Sequence, residues 1–350
     1  MNFLINYFKN KIFGFKSRFR AFILIGFFLS VIIIFVVVFW SKDYYLPGGV
    51  DYGVTFSKLY AEELNLDWQE AYLAILDDLK VDKIRIPIYW PDIEPRIDEF
   101  YFKDYDWMFE QAGQRGVGVI PVIGRRVPRW PECHTPPWAD RLRSQDMVNR
   151  RLLKIIEQTA KHFSLYNNLI AWQVENEPFL SIFGECPKPD ADLLSQEIHI
   201  VKSVDPTRPI IITDSGELSF WGKSSSYADI LGITLYRFVW NPVIGYFGHI
   251  YPPAFYRYRA SNVIQNNPAL SNVIVMELQA EPWINGPSIT EASLAEQYSS
   301  MDLNKLKSIV DYTESAGFNQ AYFWGAEWWY WLKIKHGDEQ FWQYAKTFWQ

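Results

Sequence analysis

The chain begins with a long uncharged apolar stretch and then changes to short apolar runs separated by longer segments of helical period. Eight of these runs have the length and composition of buried strands. They are Tyr52–Phe56, Lys83–Tyr89, Val117–Ile123, Leu169–Val174, Pro209–Thr213, Ile230–Leu235, Val273–Met276 and Gln320–Trp324. The clearest amphipathic helices are predicted at Trp68–Leu79, Tyr105–Gln114, Val148–Phe163, Leu193–Val204 and Leu303–Ala316. Between the fifth and sixth runs the sequence predicts only a short helix.

This alternation predicts an α/β fold over residues 51–350. Eight strand-then-helix units with no hydrophobic break between them favour a single (β/α)8 TIM barrel over two doubly wound halves. The chain has 350 residues, of which 49% are hydrophobic and 21% charged. This composition allows a large core and excludes a disordered or fibrous chain.

The uncharged stretch is predicted to form one N-terminal transmembrane helix over residues 21–40. At a rise of about 1.5 Å per residue it would cross a hydrocarbon layer of about 30 Å. It is longer than the apolar region of a cleaved signal peptide, and no small-residue cleavage site follows it. We therefore expect an uncleaved signal anchor in the lipid bilayer, joined to the barrel by a linker at residues 41–50.

Charge is concentrated before this stretch. Residues 1–20 carry five basic residues and no acidic one, whereas the whole chain has a net charge of −6. The positive-inside rule predicts a cytoplasmic basic tail at residues 1–20 and an extracytoplasmic barrel. The acidic body argues against a nucleic-acid partner, and the sequence gives no sign of a protein partner.

Two glutamates end opposite strands of the predicted barrel. Glu177 follows the fourth strand and Glu277 the seventh, so both are expected at the rim where barrel active sites lie. Cleavage of a glycosidic bond requires a proton donor for the leaving oxygen and negative charge near the anomeric carbon. This pair therefore predicts a glycosidase acting on a glycan.

Motifs around these glutamates resemble a known clan. The run from Trp172 to Pro178, WQVENEP, is similar to the W-x-x-x-N-E-P signature of clan A retaining β-glycosidases. The segments 84–87, 90–95 and 104–106 are similar to the second strand of that clan and the loop after it, and 273–277 to its seventh strand. The sequence most resembles the cellulase-type family 5, with families 42 and 39 as neighbours.

The resemblance implies a retaining glycoside hydrolase that cleaves β-linked oligo- or polysaccharides through a glycosyl-enzyme intermediate. Glu177 would be the acid/base and Glu277 the nucleophile. Substrate-binding roles are expected for Asn176, Arg85, Tyr236, Trp324, Trp90, Trp283, Glu327 and His134. His134 is included because family 5 enzymes commonly carry a histidine near the third or fourth strand. A transglycosylase with the same two carboxylates, or a catalytically silent carbohydrate-binding barrel, remains open.

Several residue assignments have alternatives. Regular strand alternation would point Glu175 and Glu177 to the same side, so the assignment of Glu177 requires the backbone to leave β geometry there. Glu281 is a second carboxylate after the seventh strand and is expected in a substrate-lining loop. Glu327 is expected either to contact sugar or to form a salt bridge with Arg125 or Arg126.

The two cysteines, Cys133 and Cys186, fall in neighbouring rim loops. A disulfide between them is expected if the barrel lies in an oxidising compartment, and two free thiols are the alternative. The five histidines have no zinc-type spacing, and no phosphate-binding or dinucleotide motif is placed after a strand. The sequence thus predicts no metal and no cofactor.

Overall fold

The computed structural model describes residues 22–37, 42–286 and 288–350. Residues 22–37 form helix α1, whose apolar side chains are exposed. Within the described residues, no helix has the combined length and apolar character needed to cross a membrane. These residues do not support the predicted span over 21–40, although residues 21 and 38–40 are not described. The predicted basic tail over residues 1–20 also lies outside the described residues.

Parallel strands close into a barrel, as the sequence predicts. Around the barrel the strand order is β1-β10-β9-β6-β5-β4-β3-β2, and an antiparallel hairpin, β7-β8, stands apart. The strands are β1 (Asp51–Thr55), β2 (Lys83–Pro87), β3 (Gly118–Ile123), β4 (Trp172–Val174), β5 (Ile210–Asp214), β6 (Ile230–Leu235), β7 (Phe238–Asn241), β8 (Gly245–Gly248), β9 (Asn272–Gln279) and β10 (Gln320–Trp324). Each predicted strand coincides with one barrel strand, so the (β/α)8 prediction is confirmed.

Helices surround the barrel. After α1 they are α2 (Lys58–Glu63), α3 (Trp68–Ala74), α4 (Trp90–Ile93), α5 (Lys103–Gln114), α6 (Gln145–Phe163), α7 (Ala191–Val204), α8 (Gly222–Ser225), α9 (Pro253–Asn266), α10 (Leu294–Ser300), α11 (Leu303–Ser315), α12 (Ala326–Trp331) and α13 (Gln340–Lys346). Short π-helical turns at Ile75–Leu79 and Leu332–His336 extend α3 and α12, and a 3-10 turn spans Ala139–Arg141. The side chains of Asp67, Asp190 and Asp302 cap α3, α7 and α11 by accepting backbone N–H bonds.

Alternation along the strands separates an outer core from the barrel interior. Outward residues such as Val54, Ile84 and Val275 pack against the helices. Inward residues form a distinct apolar cluster made of Ile120, Ala171, Ile211, Ile274, Met276 and Tyr322. The next inward residues along β5 and β9 are polar, Thr213 and Glu277. The interior therefore changes from apolar to polar toward the ends of the strands where the site is expected.

The chain enters the barrel at the face opposite those strand ends. Tyr44 donates its backbone N–H to the Ser315 carbonyl oxygen at 2.7 Å, and the Tyr45 hydroxyl lies 3.1 Å from Asp311 Oδ1. Ser315 ends α11, the helix that leads back to the start of β10. The described part of the predicted linker is therefore packed against the floor of the barrel.

The close fit of the barrel interior makes a testable prediction at Gly53. A Cβ atom there would lie 2.6 Å from Tyr322 Cε1 and 3.0 Å from the Lys83 carbonyl oxygen. Because the Tyr322 ring is fully buried, we expect Gly53→Ala to lower the free energy of unfolding by about 1–3 kcal/mol, measured by urea denaturation. Gly222→Ala is the control, since no atom lies within 4 Å of its added Cβ. Equal stability of the two variants would contradict the tight packing.

Candidate active site

A β-bulge turns Glu277 toward the barrel mouth. Ile233 of β6 pairs with Val275, but the next residue, Thr234, pairs with Glu277, so β9 has one extra residue at Met276. Pairing of β9 with β10 shows the same register shift. Met276 already points inward, and regular alternation would send Glu277 outward. The bulge restores the inward direction and brings Glu277 to the cleft.

The carboxylate of Glu277 is held by two donors. Arg85 Nη1 lies 3.2 Å from Glu277 Oε1, and the Tyr236 hydroxyl lies 3.1 Å from Oε2. A guanidinium and a phenol hydroxyl are both hydrogen-bond donors that a carboxylate accepts. Tyr236 comes directly after β6 and Arg85 is in β2, so strands on different sides of the barrel fix one carboxylate.

Arg85 also organises the end of β4. Its Nε donates to Gln173 Oε1 at 2.8 Å, and its Nη2 donates to Asn176 Oδ1 at 2.9 Å. The Thr213 hydroxyl donates to the same Asn176 oxygen at 3.0 Å. These bonds fix the Asn176 amide beside the two predicted catalytic residues.

The backbone leaves β geometry where β4 ends, as the assignment of Glu177 requires. Glu175 and Glu177 have positive φ values of 58° and 45°, which are uncommon for residues other than glycine. The Glu175 carboxylate accepts the backbone N–H groups of Arg125 and Arg126, both at 2.7 Å. A Cβ at Gly124, whose φ is 127°, would lie 2.5 Å from Glu175 Oε1. Glu175 thus anchors the loop after β3, whereas Glu177 lines the cleft.

Glu177 lies in an environment that favours its protonated form. Its backbone N–H donates to the Thr213 hydroxyl oxygen at 2.8 Å. Burial, followed by the negative charges of Glu277 and Glu132, raises the pKa of the Glu177 carboxyl well above its usual range. A group that keeps its proton near neutral pH is suited to donate it in a reaction.

A third carboxyl group, Glu132, was not predicted from the sequence. Its Oε2 lies 3.3 Å from Asn176 Nδ2, and it lines the same cleft. Burial and the charge of Glu277 raise the pKa of Glu132 to about 8. The only signal in the sequence was its place between Pro131 and Cys133, in the loop that also holds His134.

Arg129 forms a second cluster at the rim. Its guanidinium lies between two rings, 3.4 Å from the Tyr60 centroid and 4.0 Å from the Trp324 centroid. Both of its terminal nitrogens bond to the Glu281 carboxylate. One face of Trp324 is therefore covered by an ion pair, and Glu281 serves as a partner to Arg129 on the cleft wall.

Glu327 has different partners from those predicted from the sequence. Its Oε2 lies 3.7 Å from Arg129 Nη2, and its Oε1 accepts the Ser57 backbone N–H at 2.6 Å. The side chain is fully buried and does not line the cleft. The proposed salt bridge to Arg125 or Arg126 is therefore wrong, because helix α12 brings Glu327 to Arg129 instead.

His134 and Trp90 are also placed away from the cleft. His134 Nε2 lies 3.0 Å from the Arg129 carbonyl oxygen, and its ring packs against Tyr89. Trp90 is almost fully buried and donates its indole N–H to Glu94 Oε2 at 2.7 Å. Local contacts thus hold both side chains in the core, and neither lines the cleft.

The cleft has a volume of about 580 Å³. Of the predicted site residues, it brings together Asn176, Glu177, Tyr236, Glu277, Trp283 and Trp324. Arg85 lies beneath it without lining it. The sequence missed Glu132, Glu217 and the wall formed by the β7-β8 hairpin, because nothing local marked that hairpin as part of a barrel rim. In the described part of the chain, no group of three or more His, Cys, Asp or Glu side chains is arranged to hold a metal ion.

Two rim loops are joined covalently. Cys133 and Cys186 form a disulfide that links the loop after β3 to the loop after β4. Arg126 strengthens the connection by donating to the carbonyl oxygens of Leu180 and Phe183, at 2.6 and 3.0 Å. The loop that carries Glu132 and the loop after Glu177 therefore form one connected wall.

Solved structures with similar folds are glycoside hydrolases of low sequence identity. One is a family 10 endoxylanase from a sugarcane soil metagenome, with 12% identity, a TM-score of 0.54 and coverage of 79% of this chain and 86% of the other. An exo-β-1,4-mannosidase from Opitutaceae bacterium strain TAV5 has 16% identity, a TM-score of 0.54 and coverage of 81% and 54%. An intracellular xylanase from Thermoanaerobacterium saccharolyticum has 16% identity, a TM-score of 0.53 and coverage of 81% and 89%. At this identity the likeness shows a shared fold.

The family assignment comes from the sequence itself. No curated protein sequence matches the chain. The sequence model of the cellulase family, glycosyl hydrolase family 5, matches residues 54–324, from the first barrel strand to the end of the last. This range holds both predicted catalytic glutamates, the bulged strand that carries Glu277 and the irregular end of β4. The chain therefore belongs to the cellulase family, glycosyl hydrolase family 5.

Proposed function

We propose that the protein is a retaining β-glycosidase that hydrolyses O-glycosidic bonds of a β-linked oligo- or polysaccharide. One observation carries this proposal: two carboxyl groups line one cleft in opposite electrostatic surroundings. Glu277 is held by Arg85 and the Tyr236 hydroxyl, whereas burial and neighbouring negative charge raise the pKa of Glu177. A charged carboxylate beside a protonated one is the pair that double displacement requires.

In the first step Glu177 gives its proton to the glycosidic oxygen while Glu277 attacks the anomeric carbon. The bond between that carbon and the glycosidic oxygen breaks, the leaving group departs as an alcohol, and an ester to Glu277 forms. Asn176, held by Arg85 and Thr213, is positioned to bind the sugar 2-hydroxyl. Trp324 is proposed to lie under the sugar ring.

In the second step Glu177 acts as a base. It removes a proton from a water molecule, which attacks the anomeric carbon and displaces Glu277. Two inversions give a product with the original configuration. A sugar acceptor in place of water would give a transglycosylase, so the ratio of hydrolysis to transfer products decides between these activities.

The two glutamates can be distinguished by azide. With an aryl β-glycoside that has a good leaving group, Glu277→Ala should lose activity by about a thousandfold or more. Azide should then restore turnover by direct attack, giving an inverted glycosyl azide.

Glu177→Ala should lose activity about 10²- to 10⁴-fold on unactivated substrates. With the aryl glycoside, azide should give the product of retained configuration, because Glu277 still forms the intermediate. Product configuration is measured by NMR.

Glu185→Gln is the control for this pair, since Glu185 lies in the same loop region but does not line the cleft. It should keep full activity and form no azide adduct. A fully active Glu277→Ala enzyme would exclude the mechanism.

Glu132 should influence the pH dependence. Above the Glu132 pKa of about 8, its negative charge is one of the causes that raise the pKa of Glu177. Removing that charge lowers the Glu177 pKa, so the proton needed for the first step is lost at a lower pH. We therefore expect Glu132→Gln to move the alkaline limb of the kcat/KM profile to lower pH, with Glu185→Gln unchanged. An unchanged limb in Glu132→Gln would show that this charge does not act on the acid.

We also propose an extracytoplasmic location, with residues 21–40 as an anchor and the N-terminus in the cytoplasm. Two observations support it: the disulfide between Cys133 and Cys186 is typical of oxidising compartments, and the basic residues precede the apolar stretch. The apolar stretch and the basic residues before it support the anchor, and the disulfide supports the oxidising compartment.

Membrane preparations from cells that express the full chain test both parts. The protein should stay in the pellet after an alkaline carbonate wash, and an alkylating reagent should label both cysteines only after reduction. A chain that starts at residue 42 should be found in the supernatant. Full-length protein released by carbonate would contradict the anchor, and two thiols labelled without reduction would contradict the oxidising compartment.

A further inference from the structure

The loop after Glu177 forms one wall of the cleft. Leu180, Ile182 and Phe183 all line the cleft, and the Leu180 N–H donates to the Glu177 carbonyl oxygen at 2.9 Å. Under the proposed function, Glu177 gives its proton to the oxygen of the leaving group. The part of the substrate that departs must therefore lie beside these three apolar residues.

Aliphatic side chains continue this wall outward. Ile182 is 72% exposed, and Leu218, in the rim loop after β5, is 62% exposed. Both line the cleft. Branched alkyl groups neither hydrogen-bond to sugar hydroxyls nor provide the flat face on which a sugar ring stacks. Exposed side chains of this kind favour an apolar ligand over further sugar units.

Aromatic contacts connect the wall to the nucleophile. The ring of Trp283 lies 5.5 Å from that of Tyr236, whose hydroxyl bonds to Glu277. Phe183 lies 6.2 Å from Trp283, and Trp130 lies 6.0 Å from Phe183. These ring contacts connect Tyr236, beside Glu277, to Trp130, whose side chain is 58% exposed.

The opposite wall is apolar as well. Val239 and Phe247 of the β7-β8 hairpin line the cleft, together with Ile284 from the loop after β9. Val243 and Ile244, at the tip of the hairpin, are exposed. A chain of several carbons could therefore keep apolar contacts beyond the mouth of the cleft.

Polar groups are concentrated in the part of the site near Glu277. Arg85 donates to Glu277 and to Asn176, and Asn176 donates to Glu132, so this chain of polar groups offers the donors and acceptors that a sugar ring needs. The part of the cleft around Glu277 is thus polar and suits the sugar, whereas most of the remaining lining is apolar, with Glu217, Asn241 and His249 among its polar members.

We propose that this apolar region is an aglycone site, and that the substrate is a glycan β-linked through oxygen to an alkyl or similar apolar chain. The inference rests on the proposed function, since it uses Glu177 as the acid. The reaction consumes one water: the Glu177 proton goes to the alkyl oxygen, the bond from that oxygen to the anomeric carbon breaks, and the apolar alcohol leaves. Water then releases the sugar from Glu277.

The test begins with a panel of aryl β-glycosides, which identifies the sugar. Methyl, butyl and octyl β-glycosides of that sugar are then compared, below the concentrations at which they form micelles. The three alcohols are leaving groups of similar reactivity, so differences in kcat/KM report contacts with the chain. Because each buried methylene is worth about a fourfold change, we expect kcat/KM for the octyl glycoside to exceed that for the methyl glycoside about tenfold or more.

Two variants test which side chains cause the dependence of kcat/KM on chain length. Ile182→Ser and Leu218→Ser change exposed side chains, so the fold is not at risk, and each should lower the octyl-to-methyl ratio several-fold. Leu165→Ser is the matched control: Leu165 is 81% exposed and follows α6 on the floor side of the barrel. It should leave both rates and their ratio unchanged.

The outcomes separate the two proposals. If no aryl glycoside is cleaved faster than by Glu277→Ala, the proposed function fails and the inference fails with it. If aryl glycosides are cleaved but chain length has no effect, or the chain-length effect survives in Ile182→Ser and Leu218→Ser, only the aglycone site is excluded. A gain that appears only above the micelle concentration would indicate binding to a lipid surface and would also overturn the aglycone site.

Discussion

A guanidinium group without access to water lies at the centre of the barrel. Arg85 is fully buried, and its nitrogens reach Gln173, Asn176, Glu277 and the Met276 carbonyl oxygen. A buried charge is tolerated only when it is paired and its donors are satisfied. The ends of β4 and β9 must therefore stay close to β2. The same bonds that satisfy Arg85 also fix Asn176, proposed to bind the sugar 2-hydroxyl, and Glu277, the proposed nucleophile.

The same constraint separates the roles of the carboxyl groups. Three of them, Glu132, Glu177 and Glu277, are buried and line the same cleft. Arg85 and Tyr236 bond directly to Glu277, while burial raises the pKa values of Glu132 and Glu177. Like charges in a small volume cannot all be ionised at neutral pH. Unequal access to one cation thus distinguishes the proposed nucleophile from the proposed acid.

Sequence patterns were sufficient to predict the barrel, because eight apolar runs and their intervening helices repeat one local unit. They also identified the two glutamates, since strand ends are visible as the points where an apolar run stops. The bulge at Met276 and the positive φ values at Glu175 and Glu177 were not visible in the same way. They depend on pairing between distant strands and on backbone groups of neighbouring loops.

The direction of side chains in the loops was even harder to predict from the sequence. His134 and Glu132 are two residues apart, yet the loop turns the predicted one into the core and the other into the cleft. The β7-β8 hairpin was missed because it follows β6 directly and interrupts the strand-then-helix order. Loop geometry of this kind is set by tertiary contacts such as those of Arg126 and the disulfide, which no local pattern records.

The attachment of residues 44 and 45 to the floor of the barrel gives the molecule a direction. With the N-terminus held in a surface as proposed, the polypeptide would reach the barrel at its underside, and the cleft would open on the side turned away. Molecules embedded in that same surface would have to pass around the whole barrel to reach Glu277. Under that proposed anchor, the geometry would suit an enzyme that collects its substrate from the space, or from the opposing layer, in front of it.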